Sequence, residues 1–342
     1  MVTGIGNKVV TVAVDAMGGD YAPQEIVKGA IEGARREGIG IVLVGREDAI
    51  QKEVERYGIS GLPIRVRHAS DVILDGEPPA MALRHKPDAS ILVATQLVRK
   101  GEADALVSMG PTGAVMVSAI LTLGTLEGLR RPTVGGDLLG FVPDTVIFDA
   151  GANVDCNPRE LLNFVAMGCV YAKKMLHIAN PTVALLSNGV EEGKGNNLVK
   201  GAYQLLKKSK LNFIGNIEGH DLPAGKANVV ICDGFTGNVL IKFCEGLSRS
   251  IIERLRVTLD KLLSKTEIDA VCKDLFSLTN VVDVRGGGLV YGINGLVWTG
   301  HGHSKAPQVA ESMHQVKLAV QSNLVDALKL ELTKIQRLVG GG

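Results

Sequence analysis

The chain has 342 residues, 46% of them hydrophobic, which is enough apolar material for a large α/β core and too much for a disordered chain. Lys plus Arg number 37 against 36 Asp plus Glu, so no global charge calls for nucleic acid and any anion site has to be local. The five cysteines, Cys156, Cys169, Cys232, Cys244 and Cys272, have no CxxC spacing and read as buried thiols rather than a disulfide framework or a zinc site. No leader-like segment opens the sequence and no run of about 18 uncharged apolar residues occurs, so a cytoplasmic address is expected.

In chain order, short β-branched runs predict buried strands at Val9 to Val14, Ile41 to Val44, Ala105 to Val107, Thr145 to Phe148, Val183 to Leu186, Phe213 to Ile214 and Val229 to Ile231. Amphipathic stretches between them predict helices at Gln24 to Glu37, Ser90 to Lys100, Pro158 to Met175 and Asn196 to Lys208. This alternation defines a doubly wound α/β architecture with a mostly parallel sheet and helices on both faces. Lys8 to about Leu139 and Thr145 to Leu240 read as two lobes of one catalytic unit spanning 1–342. Residues 247–285 stand apart: Leu247, Ile251, Leu255, Leu259 and Leu262 or Leu263 share a helical stripe, flanked by Arg249, Arg254, Arg256 and Lys261. That predicts a helical protrusion, packed as core, as a dimer contact or on a membrane surface.

Candidate chemistry lies at the predicted strand ends, where glycine-rich polar turns precede helices. Asp15, Gly18 and Gly19 form the first such turn, but neither GxGxxG nor GxxxxGK[ST] is present, which removes the best support for a dinucleotide or nucleotide-triphosphate site. Ser108, Gly110, Thr112 and Gly113 form the second, where a helix N-terminus can hold phosphate or the hydroxyls can simply cap it. Asp149, Asn153 and Asp155 form the third, fitted to orient a ligand or bind a metal, or simply to make an Asx turn. In the fourth, Lys194 stands between Gly193 and Gly195 before a helix, where its charge can meet a phosphate or thioester oxygen, unless it is a solvated loop lysine. The fifth, Cys232 to Asn238, offers Thr236, Gly237 and Asn238 to an oxyanion or phosphate, or a plain cap, ahead of a helix from about Val239. His301 and Ser304 follow the strand-like Leu296 to Trp298; His301 with His303 has no third partner at metal-ligand spacing, so no metal is expected. In parallel sheets such turns share the carboxyl ends of the strands, which points to one phosphate or polyanion site.

Taken in order, AVDAMGGDYAP from Ala13, SMGPTGA from Ser108, LEGLRRP from Leu126, DAGANVDCNP from Asp149, GKGN from Gly193, FIGNIEGHDL from Phe213, CDGFTGNVLIK from Cys232 and HGHS from His301 resemble the PlsX family of phosphate acyltransferases over about 9–330. The resemblance implies a fold like that of phosphate acetyltransferases and the isocitrate and isopropylmalate dehydrogenases. It implies a homodimer that needs no cofactor, accepts a fatty acyl group from acyl carrier protein and makes acyl phosphate for phospholipid synthesis. It also implies peripheral association with the membrane, where a glycerol-3-phosphate acyltransferase resides. Lys194 and Asn238 match the positions implicated in activity, and Arg84 with Lys86 match a basic pair near the anion or carrier-protein surface. Pro111, Arg285 and His303 depart from the pattern and bear on the lining of the site more than on the reaction. A coenzyme A-dependent phosphate acetyltransferase and a non-catalytic carrier-protein scaffold are the alternatives.

Overall fold

The computed structural model describes residues 9–340. In chain order the elements are β1 (Thr11–Asp15), α1 (Gln24–Glu37), β2 (Gly40–Gly45), α2 (Glu47–Tyr57), β3 (Ile64–His68), α3 (Pro79–His85), α4 (Ser90–Arg99), β4 (Ala105–Ser108), α5 (Thr112–Leu123) and β5 (Thr133–Asp137). There follow β6 (Val146–Phe148), α6 (Pro158–Lys174), β7 (Val183–Leu186), α7 (Asn197–Lys207), β8 (Phe213–Ile217), β9 (Val229–Ile231), α8 (Gly234–Leu259), α9 (Lys265–Thr279) and α10 (Val281–Val284). The last are β10 (Gly288–Tyr291), β11 (Leu296–Thr299), α11 (Ala306–Gln321) and α12 (Leu324–Gly340).

The contacts sort the chain into two compact units, the first running to Leu126 and resuming over Arg285–Val325, the second Glu127–Val284 and the chain from Asp326. The lobe boundary therefore lies earlier than the expected one near Leu139. Segment 285–325 returns to the first unit because β11 pairs in parallel with β4.

In the first unit the strands run in the order β3-β2-β1-β4-β11-β10, parallel except that β10 lies antiparallel to β11. Chain order reverses between β1 and β4, the topological switch point at which open α/β sheets leave a crevice. Helices α1 and α11 cross at Gly29 and Gly33; a Cβ there would lie 2.5 Å from the Ala306 carbonyl oxygen and 2.5 Å from Met313 Cγ respectively. In the second unit the order is β5-β6-β9-β7-β8, with β5 antiparallel to β6 and the rest parallel. Alternation along β9 supplies both faces: Val230 joins Ile147, Ala184 and Ile217 in the core beneath Leu240, Ile241 and Cys244 of α8. Val229 points the other way, to α6, where Gly168 makes room for it.

The inner parallel strands are buried runs, which is why the sequence displays them plainly; β1, β2, β4, β6, β7 and β9 stand where expected. Helix α8 begins at Gly234 and not near Val239, because the Asp233 side chain accepts a hydrogen bond from the Thr236 N–H and caps it. Helix α8 carries the amphipathic stripe expected from Leu247, and α9 follows it within 247–285. They pack on each other through Ile268 and Cys272 and through a network of Ser248, Thr279 and Asn280. Phe235, Val239, Phe243, Leu247 and Ile251 of α8 stay exposed at four-residue intervals. Among the described residues no helix is long and apolar enough to cross a membrane.

Candidate functional site

Each unit brings polar turns to the carboxyl ends of three neighbouring strands. In the first these are β1, β4 and β11, and pairing sets Asp15 beside Ser108 and Ser108 beside Thr299. Ser108 Oγ donates to Asp15 Oδ2 at 2.7 Å and accepts the Gly110 N–H at 3.0 Å, so the switch-point strands are tied through their polar ends. Gly18 is required by this closeness, because a Cβ there would lie 2.6 Å from Asp15 Oδ2 and 2.7 Å from the Gly110 nitrogen. Asp15 is 2% exposed, and burial pushes its carboxyl above the ordinary Asp value against the hydrogen bonds of Ser90, Ser108, Met17 and Gly18.

The remaining candidates of the first unit divide between support and exposure. Thr112 opens α5 with its hydroxyl exposed, and no side chain caps the helix. Gly113 faces Pro79 of α3, 2.9 Å from where its Cβ would be, so packing accounts for it. Gly19 adopts φ +107° and sits against Met109 and Gly302. The rings of His301 and His303 stack at 5.3 Å, and the Ser304 hydroxyl is wholly buried with no hydrogen-bond partner among the described residues. A small recess lined by Asp15, Ser90, Ser108, Gly110 and apolar Ile73 and Val115 lies beside the α5 N-terminus. Lys86 bonds Glu77 and the Val72 carbonyl, bracing the loop that walls this recess, whereas Arg84 is exposed.

In the second unit the turns follow β6, β7 and β9. Asp149, fully buried, accepts the Gly151 and Ala152 N–H groups at Oδ1 and the Asn153 N–H and side-chain amide at Oδ2, all within 2.7–2.8 Å. Asn153 spends its other amide hydrogen on the Pro132 carbonyl, so its donors hold the turn together. Against this turn lies the start of α8: a Cβ on Gly237 would fall 1.9 Å from the Asp149 carbonyl oxygen, and one on Gly234 2.8 Å from the Asn153 nitrogen. Thr236 donates its hydroxyl to Asp233, while Asn238, exposed in the first turns of α8, rests against Gly151.

Lys194 lies beyond β7, the strand paired with β9. Its exposed ammonium has no hydrogen-bond or ion-pair partner among the described residues, unlike Lys86, Lys207 or Lys226. The backbone around it is fixed by Lys194 N–H to the Glu191 carbonyl and Gly195 N–H to Asn188 Oδ1, and Asn196 caps α7 through the Val199 N–H. A free cation beside a helix N-terminus attracts anions.

Two thiols flank the Asp149 turn. Burial, with the charges of Asp149 and Glu160, pushes the Cys156 thiol up to about 12, and burial likewise raises Cys232. Both remain protonated at neutral pH, so neither supplies a thiolate nucleophile. Among the described residues no group of His, Cys, Asp and Glu is arranged to hold a metal ion.

Polar, glycine-rich turns at the carboxyl ends of doubly wound sheets are where such folds hold anionic ligands. A phosphotransacetylase from Streptococcus pyogenes superposes with a TM-score of 0.62 over 94% of this chain and 95% of its own, at 14% identity, which shows the shared fold. The model of the family described as "Fatty acid synthesis protein" matches residues 10–327. Phosphate acyltransferases of Pelotomaculum thermopropionicum and Heliobacterium modesticaldum are 42% and 44% identical, covering 97% and 93% of this chain and 97% and 96% of theirs. The chain belongs to this family, the PlsX phosphate acyltransferases, and is an acyltransferase.

The loops of the sequence reading thus divide by unit. Lys194, Asn238, Asn153, Thr236 and Gly237 fall in the second and Asp15, Gly18, Gly19, Ser108, Gly110, Thr112, Gly113, His301 and Ser304 in the first. Sequence reasoning passed over Gly151, Gly189 and Thr299, whose place comes from strand register and close approach; only the glycine in each turn hinted at it.

Proposed function

We propose that the enzyme transfers a long-chain fatty acyl group from acyl carrier protein to inorganic phosphate, giving acyl phosphate for phospholipid synthesis. The observation that carries this reading is the uncommitted Lys194 ammonium, set one strand away from the turn that bears Asn238. Phosphate is held by Lys194 and the α7 N-terminus beside the thioester. One phosphate oxygen attacks the carbonyl carbon, the C–S bond breaks, and the carrier's thiolate leaves and takes a proton from solvent. Asn238 stabilises the oxyanion, and positioning supplies much of the rate. No covalent enzyme intermediate is needed, in keeping with the protonated state of the nearby thiols.

Phosphate-dependent release of free carrier protein from palmitoyl-acyl carrier protein, with acyl phosphate detected by mass spectrometry, tests the reaction. Release without phosphate, or only from a coenzyme A thioester, would overturn it. Lys194→Ala is expected to lower turnover by a factor on the order of 100 or more with the fold intact, as loss of a preorganised charge does. Unchanged turnover takes Lys194 out of the mechanism.

The exposed apolar strip of α8 supports a homodimer that also docks on the cytoplasmic membrane surface, near the acyltransferase that consumes the product. Arg256 is paired with Asp269 and Lys242 with Glu245, which leaves Arg249 and Arg254 as the exposed cations of α8 without an ion-pair partner among the described residues, for anionic headgroups. Changing Leu247 and Ile251 to Glu should abolish flotation with anionic liposomes; flotation that persists counts against docking through this face.

A further inference from the structure

We infer that Gly189 is a positioning residue for Lys194, acting through the side chain it lacks. The inference rests on the proposed role of Lys194 and adds the means by which that side chain is aimed.

Gly189 is buried between the end of β7 and the lysine loop. A Cβ built on it would lie 2.7 Å from Cγ and 3.0 Å from Cδ of Lys194, and 3.1 Å from Oε2 of Glu191. The lysine stem therefore lies directly on the glycine backbone. The neighbouring glycines have other reasons to be there or none: Gly195 adopts φ +93°, a conformation that favours glycine outright, and a Cβ on Gly193 would meet nothing within 4 Å. Gly189 is absent from the positive-φ positions, so its own backbone does not demand glycine. What excludes a side chain there is the lysine.

The consequence for Lys194 follows from what else is fixed. Its N–H bonds Glu191, the next residue's N–H bonds Asn188, and Asn216 donates its amide to the Glu191 carbonyl, so the loop backbone is held on each side. The freedom that remains is that of a long side chain with an ammonium in solvent, which samples many rotamers unless its stem has a seat. Gly189 is that seat. A methyl group there displaces Cγ and Cδ, and the ammonium, two bonds farther along, swings away from the α7 N-terminus. Asn238 lies in the same way over Gly151, 3.3 Å between its Cβ and the position a Gly151 Cβ would take. Gly151 has φ +138°, however, so a substitution there would also strain the backbone; Gly189 offers the clean test.

The experiment compares wild type, Gly189→Ala, Lys194→Ala and the double variant in phosphate-dependent acyl transfer, with melting temperature and the 1H–13C resonance of 13C-methylated Lys194 as further readouts. Gly189→Ala is expected to melt close to wild type, because a flexible side chain gives way, and to lose kcat by about 10- to 100-fold, the cost of a misplacement near 1 Å. In the Lys194→Ala background the same change is expected to cost nothing further, since a residue acting through the lysine has nothing left to aim. Equal losses in both backgrounds, or wild-type turnover in Gly189→Ala beside a slow Lys194→Ala, would overturn the inference. A Lys194→Ala enzyme as fast as wild type is a different failure: it removes the lysine from the chemistry and Gly189 with it. Should Gly189→Ala melt early, the resonance decides, because an unmoved Lys194 signal in the folded variant sinks the proposal and a shifted one, with other lysines in place, supports it.

Discussion

Asp15 ends one buried strand and Asp149 follows another, and both are almost wholly buried, yet their surroundings differ. Asp149 is met by four N–H groups, which tie its turn together. Asp15 receives the Ser108 hydroxyl and a longer bond from the Met17 N–H at 3.3 Å, and burial outweighs them and raises its pKa. The sign of its effect on stability follows. Below the ordinary Asp value of 3.8 both folded and unfolded chains hold the proton. As pH rises past that value the unfolded chain releases it first, and stability falls until the folded pKa is passed. Asp15→Asn, isosteric with the neutral acid, escapes this loss. Its stability relative to wild type, from urea midpoints at a series of pH values, is therefore expected to rise from pH 4 upward and then level off; a flat difference would mean that Asp15 is ionised in the fold. Sequence showed two Asp-Ala pairs leading into glycine turns and could not separate them. The difference lies in which N–H groups each turn directs at its carboxylate.

At the scale of single elements, what was legible was whatever is buried on both sides. The apolar runs of β2, β7 and β9 announce themselves, whereas β3 was missed because Arg65 and Arg67 alternate along an edge strand, and β5 because two of its residues are glycine. Helix α8 was read as starting at Val239, since Gly-Phe-Thr-Gly resembles a loop. Asp233 and the packing of Gly237 override that local preference. Gly237 tests the point, for two effects of alanine oppose each other there. In a helix Ala is favoured over Gly by about 1 kcal/mol. Against this, the new Cβ would sit 1.9 Å from the Asp149 carbonyl oxygen and 2.9 Å from its carbon, backbone atoms that cannot step aside. Overpacking costs about 1–3 kcal/mol, so Gly237→Ala is expected to destabilise by a net of up to about 2 kcal/mol, read as a lower urea midpoint at unchanged slope. Stabilisation instead would show that the helix start does not press on the Asp149 turn.

For the whole molecule, the sequence displayed the polar turns and their order but not their division into two sets, because that depends on where distant segments return. Two returns matter: 285–325 completes the first unit, and α12 joins the second after the chain has left it. The second return is the less visible, since α12 resembles an ordinary terminal helix. Yet Leu328, Leu332 and Ile335 are 3%, 1% and 4% exposed, and Glu331 reaches to Lys173 of α6 at 4.0 Å. Burying each such side chain contributes about 1.5–3 kcal/mol, so these residues together supply roughly 5–9 kcal/mol, comparable with the whole stability of a typical domain. A chain ending at Val325 keeps every residue of the first unit and every candidate site residue, and is expected nonetheless to lose the second unit. Limited proteolysis should cut early within 127–284 while the first unit resists, and phosphate-dependent acyl transfer should vanish although Lys194 and Asn238 remain in the sequence. A truncated chain that melts with the full-length protein would show that α12 is an appendage; early cleavage confined to the second unit would place the support of the lysine loop more than 130 residues away in sequence from the lysine itself.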